Sequence, residues 1–192
     1  CYPEPERLVM LNLGNPADHA IRYLPRGPID YLMEQVPGIE YGTIYAMPWG
    51  KTALYTDPKN PQYFYESPWG VSPDFAKVVG LKFIAGSDAE MSQPESVIVS
   101  ESYARKLFPE GNALGAYLYI EGSNFLTPDA EKYRICGIFE DLPENCQFKN
   151  DLFVRIGDTV QKDDWGSQNY LAFFRLKPGV SVEEANRQIV AS

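Results

Sequence analysis

Short apolar runs alternate with turn-forming segments along the chain, and the most regular pattern lies at 96–148. Three consecutive β-branched residues at 97–99 predict a short buried strand. Ser100 is suited to cap the helix that follows, and Glu101 suits the positive end of the helix dipole. Glycine and proline then turn the chain into a further strand at 117–120. The helix would bury the side chains that share its apolar face, which are Tyr103, Ala104, Leu107 and Phe108.

Strand patterns also lie on both sides of this stretch. Residues 7–13 are apolar on both faces, which predicts a strand in the centre of its sheet. Residues 41–47 alternate with period two, and 51–55 are predicted to form a hairpin with them. The remaining strand candidates are 151–156 and 169–176.

Three more helices are indicated by apolar residues at helical spacing and by their start signals. The first begins at Pro28, the second begins at Pro73, and the last has a capping box formed by Ser181 and Glu184. On the last two helices the residues expected to face inward are Phe75, Val78, Val79, Val182, Ala185 and Ile189. Helices interspersed with many strands predict an α+β fold.

Composition narrows the function classes. The chain of 192 residues is 44% hydrophobic, which is typical of a globular protein. Its formal net charge of −9 argues against nucleic acid as a partner, because phosphates require a surface rich in lysine and arginine. The same charge argues against a polybasic patch for anionic lipid. No apolar run reaches the ~18 residues of a membrane span, and no signal-peptide pattern is present.

The sequence lacks recognisable motifs for catalysis, metal binding or nucleotide binding. The single histidine, His19, is predicted to be a surface residue of a polar loop, and no metal-ligand spacing accompanies it. A Ser–His–Asp triad would need His19 as its base, and there is no Gly-x-Ser-x-Gly elbow. A hydrolase pair formed by carboxylates distant in sequence stays open. We therefore expect no enzyme activity, no metal site and no cofactor.

Three cysteines cannot all pair within one chain. Cys136 is predicted to be a small buried hydrophobe in a strand. Cys146 is close enough in sequence to pair with Cys136, although nothing in the pattern requires that bond. Cys1 has two interpretations, as the boundary of an excised segment or as the lipidated first residue of a lipoprotein.

Aromatic residues are concentrated in one quarter of the chain. Alternate tyrosines on a strand would coat a sheet and pack under a neighbouring helix, and we favour this structural interpretation. Aromatic side chains can also stack on sugars or anchor a peptide. Trp49 and Trp69 are therefore kept as candidate partner-contact residues.

Several segments occur in an order that is typical of one family. The central ones are SVIVSESYARKLFPEGNALGAYLYI and YRICGIFEDLPENCQFKNDLFV. They are preceded by VPGIEYGTIYAMP and VSPDFAKVVGLKFIAG and followed by NYLAFFRLKPGVSVEEANRQI. Together they resemble the extracytoplasmic core domain of MacB/FtsX-type ABC transporter permeases, most of all the branch found in Bacteroidetes-like genomes.

The resemblance implies two subdomains on the periplasmic face of the inner membrane, between two transmembrane helices of a permease. Residues 1–66 and 146–192 would form an α/β, Porter-like unit, and 67–145 an inserted, β-rich, Sabre-like unit. The domain would contact substrate or partner proteins and couple them mechanically to ATP hydrolysis by a separate cytoplasmic subunit. The implied partners are that ATP-binding subunit, a second permease copy and an extracytoplasmic substrate or protein that the sequence does not identify.

The alternative function is a secreted or lipidated module that binds carbohydrate or peptide. Cys1 would anchor such a module, and the tyrosine-rich face would be its site. Apolar segments of ~20 residues before Cys1 and after Ser192 in the parent gene would favour the permease. A lipoprotein signal and a stop codon would favour the binding module.

Overall fold

The computed structural model describes residues 2–12, 14, 20–48, 50–121 and 130–192, so Cys1, His19 and Trp49 lie outside the described residues. The strands are β1 (Leu8–Leu11), β2 (Ile39–Ala46), β3 (Thr52–Tyr55), β4 (Phe64–Glu66), β5 (Trp69–Val71), β6 (Phe83–Gly86), β7 (Ser96–Ser100), β8 (Tyr117–Ile120), β9 (Lys132–Phe139), β10 (Leu152–Arg155) and β11 (Tyr170–Leu176). The helices are α1 (Arg26–Gln35), α2 (Phe75–Val79), α3 (Glu101–Leu107) and α4 (Val182–Ala191), and short 3-10 turns lie at Pro5–Arg7 and Ala89–Ser92. The predicted α+β class is confirmed.

The chain divides into two compact units. The one that we call the terminal unit contains both described chain ends and comprises Tyr2–Ala46, Asp74–Gly80 and Gln161–Ser192. The other, which we call the central unit, comprises Met47–Pro73 and Leu81–Val160. Its boundaries differ from those of the predicted insertion at 67–145. The assignment of Porter-like and Sabre-like parts to these units stays a prediction.

In the terminal unit, β11 is paired antiparallel with β1 on one side and with β2 on the other. Among the described residues β1 pairs with β11 alone, so the prediction that 7–13 is a central strand is wrong. The first three residues of β1 are only half-buried, because an apolar run does not determine how many neighbours a strand acquires. Helix α1 begins two residues before Pro28, which is tolerated because a first-turn N–H has no intrahelical acceptor.

In the central unit, the strand order is β5-β10-β7-β9-β8-β3-β4, with β6 also paired to β9. The β5–β10 and β7–β9 pairs are parallel, and the other pairs are antiparallel. Strand β3 pairs with β4 and β8, so the predicted hairpin between 41–47 and 51–55 is wrong. Pro48 and Gly50, the latter with φ of +135°, redirect the chain before β3 begins.

The core of the central unit forms around β7, all five residues of which are buried, as the β-branched run predicts. On α3 the predicted residues Tyr103, Ala104 and Leu107 are buried, whereas Phe108 follows the last helical residue and is half-buried. Further core side chains from neighbouring strands are Leu54, Leu118, Ile120, Tyr133, Ile135, Leu152 and Val154.

Helix α4 begins as the capping pattern predicts, since Ser181 Oγ accepts a hydrogen bond from Glu184 N at 3.2 Å. Its inward face is narrower than predicted. Ala185 is buried and Ile189 is half-buried, but Val182 is exposed. Val182 is the first residue of the helix and is 42% exposed.

Candidate functional site

The candidate site of the central unit is organised by the start of helix α3. Ser100 is the last residue of β7 and caps the helix, because its Oγ accepts a hydrogen bond from Tyr103 N at 3.2 Å. The same hydroxyl donates to Asp151 Oδ1 at 2.7 Å. One buried serine thus fixes both Tyr103 on the helix and Asp151, the residue directly before β10.

A cavity of about 190 Å³, which we call the first cleft, lies beside this junction. Trp69 of β5 lines it and is half-buried. The other side chains that matter for its chemistry are Lys51, Glu66, Tyr103, Lys149, Asn150 and Asp151. The cleft therefore combines an aromatic surface with groups of both charges.

Tyr103 is the most unusual residue of the first cleft. Its side chain is only 3% exposed, and its hydroxyl has no hydrogen-bond partner in the described part of the chain. Burial raises the pKa of this phenol above its ordinary value, and the nearby carboxylates of Glu66 and Asp151 raise it further. Tyr103 is therefore neutral at physiological pH and keeps an O–H donor without an acceptor.

Some of the charged groups around Tyr103 form ion pairs within the described part of the chain, and others do not. Glu66 Oε1 accepts from Lys106 Nζ at 3.0 Å, and this ammonium lies 5.2 Å from the centroid of the Tyr103 ring. Lys51 and Lys149 have no ion-pair partner within 4.0 Å among the residues that the structure describes. Two lysines without an ion-pair partner among the described residues thus line the cleft together with carboxylates that accept hydrogen bonds from other groups.

A second cleft of about 580 Å³ shares Lys149, Asn150 and Asp151 with the first. Asp141 lines it and accepts a hydrogen bond from Ser102 N at 2.9 Å. This bond is the main reason why the pKa of Asp141 lies below its ordinary value. The carboxylate is therefore ionised at neutral pH, and the stability that it contributes is lost as the pH falls through its lowered pKa.

Tyrosines of β3, β8 and the segment before β4 form a separate aromatic surface on the central unit. The Tyr55 ring stacks on Tyr119 with 5.3 Å between centroids and meets Tyr63 edge-on at 5.6 Å. Tyr65 of β4 is 62% exposed. Tyr45 of β2, by contrast, is buried and stacks on Phe75 of helix α2, in agreement with the structural interpretation of the aromatic pattern.

The structure describes only one of the two predicted partner-contact residues, Trp69 and Trp49. Trp69 lies on the wall of the first cleft, and its role in partner contact stays a prediction. Trp49 lies outside the described residues. Sequence reasoning placed Tyr103 in the core but missed its unpartnered hydroxyl, because the sequence does not show which acceptors surround a side chain. It also missed Lys149 and Asp151, which carry no motif.

The two described cysteines differ in their oxidation state. Cys136 is a buried free thiol, and burial raises its pKa to about 11. Cys146 is disulfide-bonded, so the Cys136–Cys146 bond that the spacing allowed is not formed.

Within the described ranges, no group of three or more His, Cys, Asp or Glu side chains is arranged to hold a metal ion. None of the helices in those ranges is long and apolar enough to span a membrane.

Three solved structures align with nearly the whole of this chain. A domain assigned to a permease from Porphyromonas gingivalis aligns with a TM-score of 0.76 and 24% identity, covering 100% of this chain and 84% of that one. The periplasmic region of MacB from Actinobacillus actinomycetemcomitans aligns with a TM-score of 0.63 and 15% identity, covering 96% and 80%. The extracellular domain of the noncanonic ABC-type transporter YknZ from Gram-positive bacteria aligns with a TM-score of 0.55 and 16% identity, covering 94% and 86%.

These likenesses show that the chain shares the fold of these three domains. The chain itself belongs to the family of MacB-like periplasmic core domains, which it matches over residues 3–192. The resemblance found in the sequence is thereby confirmed. A comparison with functionally curated proteins finds no match.

Proposed function

We propose that this domain is the extracytoplasmic part of an ABC transporter permease that contacts a substrate or partner protein and couples it mechanically to ATP hydrolysis. The observation that carries the proposal is the family match, which extends over nearly the whole chain at 3–192. The ATP-binding subunit would be a separate polypeptide, and the intact permease would act as a dimer.

The assignment of both described chain ends to one unit supports this function. Tyr2–Ala46 and Gln161–Ser192 belong to the terminal unit, in which β1 pairs directly with β11. A domain placed between two transmembrane helices receives their movement at its two ends. One unit that holds both ends would receive that movement as a packed body rather than dissipate it. The location of both ends on a membrane-facing side stays a prediction.

The location is tested in cells that produce the full-length permease. Val190 on α4 is 88% exposed, so a Val190→Cys variant should react with a membrane-impermeant maleimide added outside the cytoplasmic membrane. Native Cys136 is the internal control, because it is buried and should stay unlabelled in the folded protein. Labelling of Val190→Cys only after the membrane is opened would contradict an extracytoplasmic location.

The coupling is tested by replacing 2–192 with a flexible linker in the full-length permease. The ATP-binding subunit should still co-purify with the membrane part and bind ATP, whereas the transport-dependent phenotype of the cells should be lost. An unchanged phenotype would rule out the domain as the coupling element. Absence of an associated ATP-binding subunit would favour the alternative of a free-standing carbohydrate- or peptide-binding module.

A further inference from the structure

We infer that Cys146 forms its disulfide bond with Cys1, so that the first residue of the chain is tied covalently to the central unit. Cys146 lies in the central unit, in the turn between β9 and β10, whereas Tyr2, which follows Cys1, belongs to the terminal unit. The pairing stands without the permease function. Only its mechanical consequence rests on that function.

The pairing follows from the states of the other two cysteines. The chain has three cysteines. Cys146 is disulfide-bonded, and Cys136 is a free thiol. A disulfide needs two sulfurs, so within this chain Cys1 is the partner left for Cys146. Because Cys1 lies outside the described residues, this step uses the number and the oxidation states of the cysteines and not the position of Cys1.

The described half of the bond has the features of a structural disulfide. Cys146 is 1% exposed, and its backbone N–H donates to Pro143 O at 2.9 Å, which holds it in the turn. Burial protects a disulfide sulfur from attack by reductants in solution. Cys136 does not exchange with it in the folded protein, because burial raises the pKa of that thiol to about 11 and leaves little thiolate to attack the bond.

The bond forms by oxidation, and the oxidant indicates the compartment. The two thiols together give up two protons and two electrons as the S–S bond forms. The acceptor is the disulfide of an extracytoplasmic thiol oxidoreductase. One thiolate attacks it to give a mixed disulfide, and attack by the second thiolate releases the oxidoreductase as a dithiol. Because the cytosol keeps such cysteines reduced, an oxidised Cys146 agrees with an extracytoplasmic location.

The pairing decides between the uses of Cys1 that the sequence left open. Lipidation of an N-terminal cysteine attaches the lipid to its sulfur through a thioether. A sulfur that belongs to a disulfide cannot carry that thioether as well. Cys1 is therefore not a lipid anchor, and the alternative function loses its lipidated form.

Under the proposed function the disulfide is also a mechanical connection. The first transmembrane helix would precede Cys1, so its movement would reach Cys146 in the central unit through one covalent bond. This path does not pass through β1 or α2 of the terminal unit. The central unit would then follow the first transmembrane helix even when the hydrogen bonds of the terminal unit rearrange.

The pairing is tested by peptide mapping of the full-length protein from cell membranes. Free thiols are blocked with N-ethylmaleimide during denaturation, and the protein is digested and analysed by mass spectrometry without reductant. We expect the peptides that contain Cys1 and Cys146 to be linked until reductant is added, and Cys136 to carry the maleimide. A maleimide on Cys146, a different partner for Cys146 or a lipid on Cys1 would each overturn the inference.

Urea denaturation of the purified 192-residue chain, oxidised beforehand, gives a second test. Reductant should lower the midpoint of the unaltered chain and of the control Cys136→Ala by about 1–2 M, because the bond constrains the unfolded state. Cys1→Ala, Cys146→Ala and the double variant should have the lower midpoint already and should not respond to reductant. A response in Cys1→Ala would show that Cys146 has another partner. If Cys146→Ala does not fold, the unaltered chain and Cys1→Ala decide.

The mechanical role is tested with Cys1→Ala in the full-length permease. The variant should lower the transport-dependent phenotype by about twofold or more, whereas Cys136→Ala should leave it unchanged. An unchanged phenotype in Cys1→Ala, with the linked peptide present in the unaltered protein, would overturn the mechanical role. External labelling of Val190→Cys judges the location of the domain separately, so failure of the proposed function is distinguished from failure of this inference.

Discussion

Tyr103 and Tyr170 are both buried, but only the hydroxyl of Tyr170 has a hydrogen-bond partner among the described residues, so a tyrosine-to-phenylalanine substitution can be compared at the two positions. The hydroxyl of Tyr170 in β11 donates to Gln161 Oε1 at 2.7 Å, whereas the hydroxyl of Tyr103 has no partner in the described part of the chain. Both side chains are at least 97% buried. Replacement of each by phenylalanine removes one oxygen atom and leaves the ring in place.

The expected changes in unfolding free energy have opposite signs. A buried donor without an acceptor costs about 1–3 kcal/mol, so Tyr103→Phe should stabilise the ligand-free protein by about 1 kcal/mol. Tyr170→Phe removes a satisfied bond with a net value of about 1 kcal/mol and should destabilise the protein by that amount. Gln161 Oε1 still accepts from Asn169 Nδ2 at 3.1 Å, so this variant leaves no orphan acceptor. The two variants should therefore differ by about 2 kcal/mol.

Urea denaturation followed by circular dichroism and tryptophan fluorescence measures this difference. With an m value of about 2 kcal/mol per molar urea, each midpoint should move by about 0.5 M, upward for Tyr103→Phe and downward for Tyr170→Phe. If the two units unfold in separate steps, each variant should shift only the step of its own unit. A downward shift for Tyr103→Phe equal to that of Tyr170→Phe would refute the reasoning, because it would show that the Tyr103 hydroxyl has a partner in solution.

Three further predictions concern packing and cysteine chemistry. Arg175→Leu should lower the unfolding free energy of the terminal unit by about 2 kcal/mol, because three backbone carbonyls lose a charged donor. The control Arg187→Leu, at an exposed arginine, should change that free energy by less than about 0.5 kcal/mol when both variants are compared by thermal unfolding. Ser100→Ala should cost about 1–2 kcal/mol in urea, since it removes the α3 cap and the Asp151 contact; a loss below about 0.3 kcal/mol would contradict that role. Cys136 should react with a thiol reagent at pH 8 only after denaturation, because it is buried and its pKa is raised to about 11; reaction in the native protein would show that β9 opens.

Local elements of the fold could be predicted where one physical signal dominated. The β-branched run of β7, the Ser100 and Ser181 caps and the inward face of α2 all follow from short-range pattern. Phe108 was expected to share the buried face of α3, yet the helix ends at Leu107 and leaves that ring half-buried. The pattern gives the face of a helix more reliably than its last residue.

Strand pairing could not be predicted, because pairing depends on contacts between segments far apart in sequence. The segments 41–47 and 51–55 look like a hairpin by spacing alone, but β2 pairs with β11 more than 120 positions later. The first cleft depends on the same kind of information. Trp69, Tyr103 and Asp151 are distant in sequence and become neighbours only through the β5–β10 and β10–β7 pairs.

Arg175 links three separate segments of the terminal unit, which bears on how movement would pass through the domain. Its guanidinium donates to Pro3 O at 3.2 Å, near the beginning of the chain, and to Val78 O at 2.8 Å, near the end of α2. Helix α2 is covalently continuous with Pro73 and Leu81 of the central unit. A displacement of the first residues would therefore reach β11 and α2 through one buried side chain, and the central unit through the backbone on both sides of α2. Burial lowers the pKa of Arg175, but a guanidinium stays protonated at any physiological pH, so these hydrogen bonds do not depend on pH in that range. Under the proposed function, α2 would be one segment through which the central unit follows the movement of the chain ends, beside the chain crossings at 46–47 and 160–161.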